Sequence, residues 1–313
     1  MEERKTVLSI RNLSVSFSQY ERGFRQKNLL AIKDLSLDVK EGEMVAVVGS
    51  SGSGKSLLAH SVLGILPYNG TWTGEISYYG EVLTEKRMKE LRGKEMVLVP
   101  QSVSYLDPLM KTGLQIRKGK KDEKSRKKSL EVLNRYGLDP STEHLYPFEL
   151  SGGMTRRILI STAIMEQPRL VIADEPTPGL HIDIAKRVLS HFREMADEGA
   201  GVLLITHDLE LALEAADRIV VFYAGTNVEE ALVSDFQEES RLRHPYTRAL
   251  YRAMPEHGFF AEPGTQPYAG NRPAGCPYAP RCGDVQEQCL KEVGYYSFRG
   301  GMVRCIKAGG EAV

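Results

Sequence analysis

The segment from Gly49 to Ser56 reads G-x-x-x-x-G-K-S, and it constrains the fold of this chain most. An apolar run, Met44 to Val48, precedes it, and Leu57 to Leu66 has the apolar spacing of a helix. A glycine-rich loop between a strand and a helix points backbone N–H groups at phosphate oxygens. Lys55 is expected to reach the β- and γ-phosphates, and the Ser56 hydroxyl to ligate Mg²⁺. The predicted nucleotide-contacting residues are Gly49, Ser50, Ser51, Gly52, Ser53, Gly54, Lys55, Ser56 and Leu57.

The composition is that of an ordinary globular chain without net charge. Of its 313 residues 42% are hydrophobic, and 41 basic side chains balance 41 acidic ones. This balance gives no electrostatic footprint for nucleic acid. No apolar run approaches the roughly 20 residues of a membrane span, and Met1 to Lys5 lacks the apolar core of a signal peptide. We therefore expect a cytosolic location and no disulfides.

Polar side chains follow three apolar runs of strand length: Gln101, the pair Asp174–Glu175, and His207. The carboxyl ends of parallel strands share one sheet edge, so these groups are expected near the glycine loop. A buried carboxylate is costly unless it holds a cation or hydrogen bonds, which makes Asp174 a candidate Mg²⁺ partner. The Gln101 amide oxygen is a second candidate ligand for Mg²⁺. Glu175 fits the role of a general base that polarises water. The alternatives are a helix cap for the acidic pair, a surface glutamine and a structural histidine.

Two further features have a local and a functional interpretation. Ser151-Gly152-Gly153 precedes an apolar-patterned helix, and it fits either a second phosphate cradle or a helix cap with a flexible lead-in. Phe17, near the end of the first predicted strand, can stack on a purine base or belong to the core, and Tyr20 is the second candidate for stacking.

Taken together, these motifs resemble the ATP-binding subunit of an ABC transporter. The resemblance covers roughly residues 7 to 235. It implies an α/β P-loop NTPase of ABC ATPase type, with an antiparallel β subdomain and a small helical subdomain at about residues 102–160, in an ATPase domain spanning 1–235. The motifs follow the family's order: Walker A (49–56), the Q-loop Gln101, the signature (150–153), Walker B (170–174) with Glu175, and the switch His207.

The resemblance also implies an assembly and a chemistry. In the family two ATPase domains pair head to tail, so Ser151, Gly152 and Gly153 are expected to contact ATP bound to the partner. Glu175 then orients the attacking water, and His207 contacts the γ-phosphate. The implied partners are a second ATPase subunit, expected to be a paralogue that forms a heterodimer with this chain, and two membrane permease subunits. An extracytoplasmic solute-binding protein is an indirect partner. The implied location is peripheral, on the cytoplasmic face of the cell membrane.

The C-terminal region narrows the resemblance to importers of dipeptides, oligopeptides and nickel. His244 to Leu250 and Gly275 to Cys282 look like the extension of that group, expected here at residues 236–313. In the family four cysteines hold a [4Fe–4S] cluster. Here their spacings are five, six and fifteen residues, which lack the short knuckle of many Cys₄ zinc sites, so a cluster is favoured over zinc in a structural role. The predicted ligands are Cys276, Cys282, Cys289 and Cys305.

One departure from the family leaves alternatives open. After Walker B the family usually carries an aspartate where this chain has His181. That aspartate helps to link the two ATP sites, so its loss favours an asymmetric partner, or a subunit with weak or no hydrolysis of its own. A soluble non-transport ABC ATPase is the rival class. The transported solute cannot be identified from these motifs, because selectivity in importers belongs to other subunits.

Overall fold

The computed structural model describes residues 4–20, 26–165 and 168–308. Within them the strands are β1 (Thr6–Tyr20), β2 (Gln26–Lys40), β3 (Met44–Val48), β4 (Gly70–Tyr78), β5 (Glu81–Val82), β6 (Met96–Val99), β7 (Leu170–Asp174), β8 (Gly201–Thr206), β9 (Arg218–Tyr223), β10 (Thr226–Leu232), β11 (Tyr296–Phe298) and β12 (Gly301–Val303). The α-helices are α1 (Lys55–Leu63), α2 (Glu85–Leu91), α3 (Thr112–Ile116), α4 (Glu123–Arg135), α5 (Gly152–Ile164), α6 (Ile182–Asp197), α7 (Leu209–Ala215) and α8 (Pro245–Arg252).

The main sheet has the strand order β11-β12-β10-β9-β3-β8-β7-β6. Its centre, from β9 to β6, is parallel, and β10, β12 and β11 extend it with antiparallel pairing. The strands β3, β7 and β8 are buried along their whole length. Strands covered on both faces read as continuous apolar runs, which is why the sequence shows them clearly. Their carboxyl ends lie at one edge, as predicted.

A second sheet, in the order β2-β1-β4-β5, is antiparallel. It shares a hydrophobic core with one face of the main sheet, where Val7, Leu13 and Ile32 pack with Val45 and Ile205. Phe17 lies in β1 between Leu29 and Gly70 and packs, partly buried, against this core. The antiparallel β subdomain expected from the resemblance is therefore present.

A small helical region follows β6 and is built from α3, α4 and α5. Its own core contains Leu106, Ile116, Leu133 and Ile158. The charged segment from Lys118 to Lys128 is almost entirely exposed, and a helix starts within it. Helix α4 already begins at Glu123, because the Asp122 side chain caps it by accepting from the Ser125 N–H at 2.8 Å. No helix in the described ranges is both long and apolar enough to cross a bilayer.

The C-terminal region contributes strands to the main sheet. Three strands, β10, β11 and β12, follow β9 in the chain and extend this sheet. Residues of this region, such as Tyr246, Cys276 and Tyr278, belong to the same core as Val48 and Ala173. A buried ion pair, Arg243 Nη1 to Glu229 Oε1 at 3.2 Å, joins the region to β10.

Candidate functional site

The glycine loop joins β3 to α1, as the sequence predicts. Gly49 passes so close to β9 that a Cβ there would overlap the Phe222 carbonyl oxygen. Gly54 caps α1 with φ of 100°, a conformation that other residues rarely adopt. These two positions therefore require glycine, and together they bend the chain so that the first N–H groups of α1 open outward.

Lys55, the first residue of α1, is folded back over this loop. Its ammonium donates to the carbonyl oxygens of Gly49 at 2.8 Å and Ser50 at 3.0 Å, and it lies 3.9 Å from Glu175 Oε1. The side chain is only 5% exposed. Burial lowers the pKa of Lys55, although the negative charges of Glu175 and Asp174 oppose that shift. A phosphate group entering the loop would offer this buried cation a stronger partner than two carbonyl groups.

Asp174, at the end of β7, faces the start of α1. Burial raises the pKa of its carboxyl group, and a hydrogen bond from Ser56 opposes the rise. The side chain is 3% exposed, and its Oδ1 finds no hydrogen-bond partner among the described residues. The same holds for the Ser53 hydroxyl in the loop. Buried polar atoms are normally satisfied, so these two atoms mark places where a ligand or ion belongs.

Glu175 follows Asp174 in a left-handed backbone conformation, with φ of 48°. Its N–H donates to the Ile205 carbonyl oxygen at 2.8 Å, which ties this turn to the neighbouring strand β8. Its Oε2 lies 2.7 Å from His207 Nδ1, while its Oε1 faces Lys55. The carboxylate is thus fixed between the switch histidine and the loop lysine. Strain of this kind is typical of functional positions.

The predicted residues meet in one cleft. A cavity of about 250 Å³ is lined by Ser51, Gly52, Gly54, Lys55, Ser56, Leu57, Gln101 and Glu175. The structure therefore brings the glycine loop, the glutamine after β6 and the glutamate after β7 together. His207 and Asp174 join them through the contacts given above.

Two predicted features lie outside this cleft. Ser151 caps α5 by accepting from the Met154 N–H at 3.4 Å, and nothing fills the space a side chain would take at Gly152 and Gly153. The helix start is open but does not line the cleft of its own chain. Phe17 does not line it either, and Tyr20 is 70% exposed.

Comparison with known proteins decides the family. The chain is 36% identical over 305 residues to the dipeptide transport ATP-binding protein DppD of Escherichia coli, covering 91% of each chain. The family description "ABC transporter" matches residues 32–178. The chain belongs to the ABC transporter ATP-binding family. The predicted family and its ATPase activity are thereby confirmed.

Other similarities agree with this assignment of the ABC ATPase. The oligopeptide transport ATP-binding protein AppD of Bacillus subtilis is 34% identical, over 91% of this chain and 90% of its own. The description "Oligopeptide/dipeptide transporter, C-terminal region" matches residues 228–289. Among solved structures, a dimeric bacterial ABC transporter cassette superposes with a TM-score of 0.64 at 25% identity, over 72% of this chain and 98% of that one. A post-hydrolysis dimer with ADP and phosphate has the same TM-score at 26% identity.

The four cysteines of the ABC ATPase line one small cavity. Cys276 and Cys289 are buried, Cys282 and Cys305 are partly exposed, and all four are free thiols. Burial raises the pKa of the Cys276 thiol to about 11. The cavity, about 20 Å³, has room for roughly one water. No group of three or more His, Cys, Asp or Glu in the described part of the chain is arranged to hold a single metal ion.

Arg156, which is not among the predicted site residues, links the parts of the site. It lies on α5 and is 4% exposed. Its guanidinium donates to the carbonyl oxygens of Pro100 and Gln101 and, at 3.1 Å, to that of Pro176. It therefore joins the signature helix to the glutamine after β6 and to the turn after Glu175. Most arginines lie at protein surfaces, so nothing local in the sequence shows that this one is buried and links three segments.

Proposed function

We propose that this ABC ATPase powers the import of dipeptides or oligopeptides. The relatives DppD and AppD are named as dipeptide and oligopeptide transport proteins. The C-terminal match is to the C-terminal region of oligopeptide/dipeptide transporters. These names favour peptides over nickel, the other solute expected from the resemblance. The observation that carries the proposed chemistry is the meeting of Lys55, Glu175 and His207 around an open cleft.

Each residue has a role in this proposal. The loop N–H groups and Lys55 bind the phosphates of ATP, and Phe17 is retained as a candidate for stacking on the base. Ser56, Gln101 and Asp174 provide the oxygen ligands for Mg²⁺, which supplies charge neutralisation on the phosphates. The unpartnered Asp174 Oδ1 supports this assignment. Glu175 accepts a hydrogen bond from the attacking water, and His207 orients that carboxylate and donates toward the γ-phosphate.

The open start of α5 supports a second chain in the complete site. Its Ser151, Gly152 and Gly153 are proposed to contact ATP held by a partner ATPase. His181, where the family usually has aspartate, is 76% exposed and lies 3.4 Å from Asp183 through its Nδ1. An exposed residue of altered charge at this position favours a paralogous partner in a heterodimer over a second copy of this chain.

An apolar surface just after Gln101 supports docking to permease subunits. Val103, Tyr105, Leu109 and Met110 are exposed by 40%, 57%, 84% and 38%. Large exposed apolar side chains close together in sequence are typical of interaction surfaces. We assign them to the contact that holds the ATPase on the cytoplasmic face of the membrane.

The cysteine cavity is proposed to hold a [4Fe–4S] cluster, with zinc as the alternative. Four thiols around one cavity provide the donor set of such a cluster. The cavity of about 20 Å³ is smaller than such a cluster, so this proposal requires the four cysteines to move apart when the cluster binds. Anaerobic purification with iron, zinc and absorption measurements tests this assignment.

The test of the proposed site is Lys55→Ala in the purified protein. Loss of the buried cation is expected to weaken Mg-ATP binding and to reduce ATP hydrolysis at least 100-fold. Lys89→Ala, on an exposed position of α2, is the matched control. Unchanged binding and turnover in Lys55→Ala would refute the proposal. The transport assignment is tested separately, by the stimulation of hydrolysis with peptide in the reconstituted importer.

A further inference from the structure

The C-terminal region returns to the phosphate loop at Ser50. The Ser50 hydroxyl donates to Gln266 Oε1 at 2.6 Å. The phenol of Tyr246 on α8 lies beside Ser50: the two residues line one cavity, and Ser50 opposes the rise that burial causes in the pKa of this phenol. Two side chains more than 190 residues away in sequence therefore fix the second residue of the loop.

Tyr246 is a rigid anchor for this contact. Its side chain is 5% exposed, and its ring centroid lies 4.3 Å from that of Tyr223 and 5.4 Å from that of Tyr278. Tyr223 is the last residue of β9, and it follows Phe222, whose carbonyl group faces Gly49. The phenol of Tyr246 is thus held against the same strand that supports the start of the loop. Burial raises the pKa of this phenol to about 12, so it is neutral and keeps its proton near neutral pH.

The contact at Ser50 affects the backbone carbonyl groups to which Lys55 is hydrogen-bonded. The Lys55 ammonium donates to the carbonyl oxygens of Gly49 and Ser50, so a shift of Ser50 moves both this lysine and the N–H groups that follow it. A loop already fixed in its binding conformation loses less entropy when a ligand binds. Ser50 is half-buried while Ser51 and Gly52 are exposed, which places the fixed point at the start of an otherwise open loop.

We propose that Tyr246 and Gln266 are positioning residues that fix the phosphate loop through Ser50 and so strengthen nucleotide binding. This proposal rests on the proposed role of the loop. It assigns to the C-terminal region a direct part in the ATP site, in addition to its cysteine cavity. Because coupling is reciprocal, ATP binding should in turn stabilise the segment that carries Gln266.

The experiment measures Mg-ATP affinity in the full chain carrying Glu175→Gln, so that ATP is not consumed. Adding Tyr246→Phe or Gln266→Ala is expected to weaken binding about five-fold, the change that follows from losing one hydrogen bond. Tyr251→Phe is the matched control. It lies on the same helix, but its ring stacks on His257 at 3.8 Å. Its affinity should equal that of the parent.

A second readout separates positioning from general stability. In the parent, Mg-ATP is expected to slow hydrogen exchange in the segment around Gln266, and Gln266→Ala should abolish that protection. Affinity within two-fold of the parent in both variants, or unchanged protection, would overturn the proposal. If Tyr246→Phe fails to fold, Gln266→Ala alone decides the test. The Gln266 side chain is only partly buried, so its truncation is expected to leave the fold intact. Loss of binding in Lys55→Ala without loss in these variants refutes this inference and leaves the proposed function intact.

Discussion

At the scale of single residues, the site depends on side chains held in costly environments. Lys55 and Asp174 are almost fully buried, and their pKa values shift toward the neutral forms for that reason. Glu175 is in a backbone conformation that is uncommon for residues other than glycine. Such costs persist where the surrounding structure fixes the residue, here through β8 and His207.

Glu175→Gln is the sharpest residue-level prediction. The amide keeps the size of the side chain but cannot accept a proton, so hydrolysis should fall by about 100-fold or more while Mg-ATP still binds. Steady-state ATPase rates and nucleotide affinity measure the two effects. A variant that hydrolyses at the rate of the parent would contradict the role of Glu175. An inactive parent would instead support a subunit that binds ATP without hydrolysing it.

His191 predicts a pH dependence of stability. It is 8% exposed and pairs through Nδ1 with the Tyr136 hydroxyl, and burial lowers its pKa to about 4. Because the unfolded chain takes up this proton below about pH 6.5, the folded state loses stability as pH falls from about 6.5 toward 4. His191→Gln should reduce this loss by up to about 2 kcal/mol between pH 6.5 and 5.

Urea unfolding at several pH values measures the effect of His191. His144→Gln is the control, because its side chain is 64% exposed. Equal pH slopes for the parent and His191→Gln would exclude the histidine as the source of the acid sensitivity.

At the scale of elements, the active-site edge could be predicted and its connections could not. The runs before Gln101, Asp174 and His207 are short and wholly apolar, so the sequence reveals them as buried parallel strands. The first turns of helix α4 are charged and carry no apolar spacing, so the sequence pattern does not mark where this helix begins. The pairing of Glu229 with Val303 spans most of the C-terminal region, and no local pattern marks such a long-range contact.

Arg156 provides the prediction at this scale. Its guanidinium joins α5 to the Gln101 segment and to Pro176, so Arg156→Ala should leave the buried carbonyl groups there without donors. We expect about 1–3 kcal/mol lower stability and slower ATP hydrolysis, since the positions of Gln101 and Glu175 depend on these contacts. Thermal unfolding and ATPase rates measure both. Arg87→Ala, on α2 outside the site, is the control. Normal hydrolysis in Arg156→Ala would show that the link is structural only.

At the scale of the whole molecule, the proposed ATP site needs a second chain. Ser151 to Gly153 lie away from the cleft of their own chain, and a solved relative of the cassette is a dimer. The Glu175→Gln variant with Mg-ATP is therefore expected to stay monomeric alone and to form dimers with an added paralogous ATPase, which dissociate when nucleotide is removed. Light scattering across protein concentrations measures this. Monomers at all concentrations, combined with dimers after a paralogue is added, would establish the heterodimer.

The β11–β12 hairpin has a consequence for how this protein is made. Its strands complete the main sheet beside β10, yet their residues lie near the end of the described chain. During synthesis the ribosome delivers them after the other described strands of this sheet, so β10 has an uncovered border until they arrive. Open borders of this kind recruit other chains. The pairing of β12 with β10 therefore removes a place where another chain could add a strand to this sheet.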